Sequence, residues 1–255
     1  MMRASAWRAR TGLLLAAALA GALTVALRAP AAWVGDWLES RSQLRLLDPR
    51  GTIWRGSAML ALSDGRQLTP IPGRLSWEIE LAALAVGRIS ARVTHSALGE
   101  SLAVSLAPGK VMIGAGNARL PAATLGALGM PFTTLRPGGV LEVRWSDVVV
   151  PGGARFGELQ GELQIDWREA QSALSSVAPL GHYRLRVSGA TDVAELRLDT
   201  LSGPLRLQGG GTLKGGRLRF SGVAFAVPEM RAALNGLLGL LGPRSGDNVL
   251  LSLET

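Results

Sequence analysis

Cysteine is absent from the 255 residues. That excludes a disulfide scaffold, an iron–sulfur cluster, a thiolate zinc site and thiol catalysis. It leaves the compartment open, because an oxidising periplasm permits disulfides without requiring them. Histidine is nearly as scarce. His95 and His182 are the only two, neither has a partner at metal-ligand spacing, and no HExxH or Gly-x-Ser-x-Gly motif occurs. Phe and Tyr total five against 33 glycines, and a chain of many glycines and short aliphatics favours turn-rich β structure over a helical bundle. With a membrane segment set aside, about 220 residues remain, one domain or two small ones, enough to bury roughly 70% of their surface without a staple.

Lysine is also rare. Lys110 and Lys214 are the two among 27 basic residues, and the net charge is +8. Arg3, Arg8 and Arg10 lie in the first ten residues, which contain no acid, and removing them leaves about +5 spread over the rest. There is no basic stripe with aromatic or helical context of the kind nucleic acid requires. No nucleic-acid partner, no cofactor, no metal, no small-molecule substrate and no enzymatic activity are expected.

One long apolar run is present. Thr11–Leu27 is 17 uncharged residues, TGLLLAAALAGALTVAL. As a helix this spans about 26 Å, slightly short of the ~30 Å hydrocarbon core. Arg10 and Arg28 bracket it and can snorkel to headgroups, and Trp33 and Trp37 follow where an aromatic belt sits. The preceding positive charges place the N-terminus in the cytoplasm and send the remainder across. The competing assignment is a cleaved signal peptide with Ala29-Pro30-Ala31 as its processing site, but the run exceeds a typical hydrophobic region of about 7–15 residues. The expected organisation is a tail at 1–10, an anchor at 11–29, a juxtamembrane segment at 30–43 and a β-rich domain at 44–255.

Beyond Ser40 the dominant signal is period-two alternation. In Leu159–Arg168 the odd positions Leu159, Gly161, Leu163, Ile165 and Trp167 oppose Gln160, Glu162, Gln164, Asp166 and Arg168 without exception. Shorter runs repeat the pattern at Leu75–Leu81, Leu102–Leu106, Leu141–Trp145, Tyr183–Val187, Leu196–Leu198, Leu205–Leu207, Leu218–Phe220 and Val249–Leu253. Asp64-Gly65, Pro137-Gly138-Gly139, Pro151-Gly152-Gly153 and Gly209-Gly210-Gly211 read as turns between them. The fold class is mainly β: an N-terminal transmembrane helix, then a curved antiparallel sheet with a few short helices. Those helices are expected at Ala118–Leu128, at Gln171–Val177 and after Pro228. In the last, Met230, Ala233, Leu234, Leu237, Leu238 and Leu241 form one face, and Gly242-Pro243 ends it. Trp77 and Trp167 each end a strand that is followed by an Ala/Leu-rich connection and another alternating strand, a faint repeat.

Acids such as Glu78/Glu80 and Glu162/Asp166 fall on polar strand faces and read as solvated. Gly209–Gly216 superficially resembles a phosphate loop, but it has no GK[ST] ending and does not open a helix, so it reads as a hairpin turn. Arg184/Arg186 and Arg217/Arg219 share faces at i, i+2 and are the candidate partner-binding residues. Arg10, Arg28, Trp33 and Trp37 are the candidate membrane-interface residues.

The run Gly51-Thr52-Ile53-Trp54-Arg55-Gly56-Ser57-Ala58, with Gly73-Arg74-Leu75-Ser76-Trp77, Gly87-Arg88-Ile89 and the preceding Pro30-Ala31-Ala32-Trp33-Val34, resembles protein N of the type II secretion system. Leu180–Leu185, Leu201–Leu205 and the Leu-rich segment after Pro228 extend the resemblance over most of the chain. The family has no catalytic motif to carry over. The resemblance implies an inner-membrane accessory component with one span, a periplasmic β-rich domain and other secretion subunits as partners. The alternative from a different class is a periplasmic lipid-handling protein of the AsmA/TamB-like kind, in which a curved sheet forms an apolar groove. An uncleaved anchor predicts that the intact mass of membrane-extracted chain includes residues 1–27. A mature N-terminus near Ala31 or Ala32 would replace the anchor with a signal peptide.

Overall fold

A computed structural model describes residues 21, 24–25, 27–40, 42, 44–63, 68–84, 87–129, 132–151, 160–190 and 193–254. Their strands are β1 (Leu44–Gly51), β2 (Arg55–Ser63), β3 (Leu68–Glu80), β4 (Ile89–Thr94), β5 (Leu102–Ala107), β6 (Lys110–Ile113), β7 (Gly116–Pro121) and β8 (Pro137–Trp145), followed by β9 (Val148–Pro151), β10 (Gln160–Ser172), β11 (Gly181–Ala190), β12 (Val193–Ser202), β13 (Leu205–Lys214), β14 (Arg217–Ala226), β15 (Arg244–Ser245) and β16 (Asn248–Glu254). The two longer helices are α1 (Ala32–Glu39) and α2 (Arg231–Leu241). Single helical turns occur at Leu81–Leu84 and Phe132–Leu135, and 3₁₀ segments at Ala122–Leu128 and Pro228–Met230.

All sixteen strands form one antiparallel sheet in which most strands pair with their neighbours in sequence. This meander needs no long crossover, because antiparallel partners can be joined by tight turns. Two runs are bent rather than straight. β6 and β7 are halves of one run broken at Gly114-Ala115, and β8 and β9 are halves of another broken at Ser146-Asp147. β9 pairs with β6, β8 pairs with β7, and β10 lines both halves. The breaks are tied together: the Ala115 N–H donates to Asp147 Oδ1 at 2.7 Å and the indole N–H of Trp145 donates to the Gly114 carbonyl at 2.8 Å.

Directly opposed residues in an antiparallel ladder share a face, so the registers extend the alternation across the sheet. One row runs Trp145–Leu163–Val187–Leu196–Gly211–Phe220–Leu253 and the next Val143–Ile165–Leu185–Leu198–Gly209. Both are apolar. On the opposite face, Glu142–Asp166–Arg184–Asp199 and Arg144–Gln164–Arg186–Arg197 form polar rows.

The helices cover the apolar face at its two ends. Val34 and Leu38 of α1 pack with Ala31, Leu46, Ala58 and Trp77. At the other end Leu234, Leu237 and Leu238 of α2 pack on Leu180, Leu205, Ala224, Ala226 and Val249. Ala58 and Ala224 are fully buried, small residues that let a helix approach the sheet. α2 follows its predicted stripe from Leu234 to Leu241, but Met230 and Ala233 are exposed rather than on the packed side.

Several expectations are corrected. Ala118–Pro121 belong to β7, so the helix predicted over Ala118–Leu128 shrinks to the 3₁₀ segment at Ala122–Leu128. Gln171 and Ser172 close β10, and turns and bends follow rather than a helix. Gly209–Gly211 lie inside β13, paired on both sides, and the hairpin turns instead at Gly215-Gly216, with φ of +57° and +82°. Pro137-Gly138-Gly139 begin β8. Trp77 and Trp167 lie within strands that run on to Glu80 and Ser172. Trp77 opposes Val93 whereas Trp167 opposes Tyr183, so the faint repeat has no common register. Asp64-Gly65, Gly152-Gly153, Leu159 and nearly all of Thr11–Leu27 lie outside the described residues. No helix among the described residues is long and apolar enough to cross a membrane.

Trp77 is 7% exposed, lies against Gly56 on β2 where a Cβ would collide with the indole, and donates its ring N–H to the Ile53 carbonyl at 3.0 Å. Trp145 repeats the arrangement over Gly116. Trp77→Ala is expected to cost about 3–5 kcal/mol in urea unfolding. Trp33→Ala, at a side chain 54% exposed, should leave the midpoint nearly unchanged.

Candidate functional site

The four arginines singled out by their i, i+2 spacing all lie on the polar face. Gln164 opposes Arg186 and Asp166 opposes Arg184; Lys214 opposes Arg217 and Thr212 opposes Arg219. They do not form one ridge. β11 and β14 are three ladder steps apart, about 14 Å at the usual strand spacing, so the sheet holds two separate basic patches.

The first patch is organised around Asp166. Its side chain is 2% exposed although it sits on the polar face, which overturns the expectation of a solvated carboxylate. Arg184 grips it through both oxygens, Nε to Oδ1 at 2.6 Å and Nη2 to Oδ2 at 2.9 Å. Arg144 Nη2 reaches Oδ2 at 2.6 Å from the other flanking strand, and the Gln164 amide donates at 3.2 Å. The carboxylate is covered by guanidinium groups rather than by a second layer. The Arg184 hydrogen bonds hold its pKa below the ordinary Asp range against the opposing effect of burial. The same contact raises that of Arg184. Arg184 is therefore committed to the fold. Arg186 and Arg197 face each other across β11 and β12 and share Asp199, at 3.4 and 3.3 Å. Beside them Gly210 leaves a hollow of about 560 Å³, lined also by Gln208 and Thr212.

The second patch is at the sheet's end. Arg219 lies 3.6 Å from Glu254 of β16, both largely exposed, and Arg217 stands beside it facing outward. The edge next to this patch is open. β16 pairs with β14 along Val249–Glu254, while β15 covers only Asn248 and Val249 on its outer side. From Leu251 onward no described strand occupies that side. The opposite end is blunted: β1 carries Pro49 next to Asp48 at φ +49° and a register shift between Leu47 and Arg50, with α1 packed against it. Natural sheets protect their edges with such devices. Sequence alternation identified β16 as a strand, but it could not show which strands would end up outermost.

Among the candidate membrane-interface residues, Arg28 is exposed ahead of α1 and Trp33 projects from it. Trp37 follows one helical turn later, and Arg10 lies outside the described residues. His95 accepts a hydrogen bond from the Ala97 N–H at 3.0 Å and its pKa is lowered by burial. His182 sits at the start of β11. No group of three or more metal-ligating side chains occurs among the described residues.

Because the folded pKa of Asp166 lies below its unfolded value, its stabilisation is present above the unfolded carboxyl's pKa of about 3.9 and is lost as pH falls through the folded value. Asp166→Asn is expected to lower stability by about 1–3 kcal/mol at pH 7, the scale of a charge-assisted hydrogen bond. The gap between variant and wild type should narrow in urea titrations below about pH 4.

The model of a protein family, described as type II secretion system (T2SS), protein N, matches residues 42–250. No curated protein and no solved structure gives a match. The matched span takes in Gly51–Ala58 and Gly73–Trp77 and runs from just before β1 into β16. On that coverage the chain belongs to the type II secretion system protein N family.

Proposed function

We propose that this chain is a non-enzymatic, inner-membrane accessory component of the type II secretion machinery that works by contacts with other secretion subunits in the periplasm. A role in type II secretion follows from the family. Residues 11–29 form the single span in this reading, with 1–10 cytoplasmic, 30–43 at the membrane surface and 44–255 periplasmic. Supporting the anchor, Val25 and Leu27 are 60% and 48% exposed just before the sheet begins, and Trp33 follows them.

The observation that carries the assembly role is the open outer side of β16 beside Arg217 and Arg219. An added strand would complete the backbone hydrogen bonds there. Arg217 and Arg219 would steer an acidic partner, raising its association rate more than its final affinity. Arg186 is a second contact point, and Arg184 supports it by holding β10 to β11.

The test is in-cell photo-crosslinking from Leu253, Arg219 and Arg186, compared with Ala58 in the packed core. Adducts to other secretion subunits are expected from the first three. Arg217→Glu with Arg219→Glu should slow association of the purified partner by about tenfold at low salt. Equal adducts from every position, or none from Leu253, would overturn the edge assignment.

A further inference from the structure

We propose that the hollow over Gly210 on the polar face binds an aspartate or glutamate carboxylate of a partner protein, an inference that rests on the assembly role proposed above. β13 carries three successive glycines, and packing accounts for two of them. A Cβ on Gly209 would collide with the Phe220 ring, and one on Gly211 with the Arg219 carbonyl. Gly210 belongs to the polar face, where the nearest atom to a Cβ would be the Leu196 carbonyl oxygen at an ordinary 3.4 Å. A side chain has room there, and its absence leaves the hollow of about 560 Å³ open. Arg197 of β12 directly opposes Gly210, and Arg186 of β11 directly opposes Arg197. Their side chains are 75% and 52% exposed. Ser188, Gln208 and Thr212 on the rim are exposed as well.

The charges on this face identify the ligand. Like charges directly opposed across a ladder repel, and Arg186 and Arg197 have a single carboxylate between them. Asp199 meets Arg186 Nη1 at 3.4 Å and Arg197 Nε at 3.3 Å, long contacts beside the 2.6 and 2.9 Å bonds that grip Asp166. A guanidinium has five N–H donors, so each arginine keeps several for a second acceptor. Along β11–β14 the polar face carries Arg186, Arg197, Arg206, Lys214, Arg217 and Arg219 against two acids, Glu195 and Asp199. Arg184 is already spent on Asp166. That excess draws an anionic partner surface. Glu195 and Asp199 both line the hollow, so a single negative charge fits between the arginines whereas a doubly charged anion is repelled. The surroundings select a polypeptide as its carrier. Gln208, Thr212 and Ser188 present an amide and two hydroxyls to the backbone that flanks an acidic side chain. Among the described residues no exposed apolar side chain lines the hollow to receive the hydrocarbon of an anionic lipid.

The test is in-cell photo-crosslinking of the full chain from Gln208 and Thr212 on the rim and from Leu253 on the edge. It compares the wild type with Arg197→Glu and Gly210→Leu, after urea unfolding has shown that each variant folds. Rim adducts are expected to map, by peptide mass spectrometry, to an acidic segment of a secretion subunit. Either substitution should lower them by about tenfold, the scale of one charge-assisted hydrogen bond, and leave the Leu253 adducts unchanged. Gly210→Leu fills the hollow without altering charge, so it separates occupancy from attraction at a distance. Replacing the mapped acid of the partner by Arg should restore rim adducts in the Arg197→Glu background. Loss in Arg197→Glu without loss in Gly210→Leu, rim adducts indifferent to both, no rescue by the charge exchange, or rim adducts to phospholipid would overturn the hollow as a carboxylate site. Leu253 adducts without rim adducts would overturn it too and leave the edge assignment standing. No adducts from any of the three positions would overturn both.

Discussion

Period-two registry constrains everything else in this protein. Each strand carries its apolar residues on alternate positions, and every hydrogen-bonded neighbour must present the same parity or turn those residues into water. Over sixteen strands the result is two surfaces of opposite character on one sheet. A usual antiparallel domain buries its apolar face beneath a second sheet or a helical layer. Here α1 and α2 supply that layer at the ends, and the 3₁₀ segment at Ala122–Leu128, with Ala122 and Ala127 buried, lies against β8, β3 and β2.

The polar face shows how a single layer copes with charge. Asp166 would be an ordinary solvated acid in a small sheet. Flanked by Arg184 at the matching register of β11 and by Arg144, two residues off register on β8, it is covered by their guanidinium groups instead. Such a pair contributes cross-strand register more than bulk stability, since one slip of β10 against β11 would set Asp166 beside an apolar side chain and strand Arg184. The carboxylate thus specifies a pairing that alternation alone leaves degenerate by steps of two.

The strands were legible in the sequence because alternation is a local property: the runs at Leu75, Leu141, Leu163 and Tyr183 are strands in the structure. Glycine was misread. In most β proteins a Gly cluster marks a turn, but Gly209–Gly211 lie mid-strand opposite Phe220 and its neighbours, and Gly56 and Gly116 leave room for Trp77 and Trp145. In a chain poor in large rings, each ring spreads over a neighbouring strand, and glycine there is a packing vacancy. No single-chain pattern separates that use from a turn, because the partner is a non-local strand. Asp166 escaped for the same reason: its arginines come from β8 and β11, 22 residues before it and 18 after it. The open edge at β16 was invisible too, since edges are set by topology.

A sheet also keeps its edge and its faces geometrically independent. The strand addition proposed at β16 would use in-plane backbone groups and the flanking Arg217 and Arg219, whereas the apolar rows point out of the plane and carry side chains of the opposite parity. Neither surface borrows a residue from the other, and the Asp166–Arg184–Arg144 cluster lies on the reverse side of the apolar rows. Changing the charge at the edge leaves the apolar rows intact, and placing a charge on the apolar rows leaves the edge ladder intact. The two ends are unequal as well: the proline, the register shift and α1 close β1, while β16 is left open. Along the meander, the open outer side of β16 therefore lies at the end opposite β1 and α1.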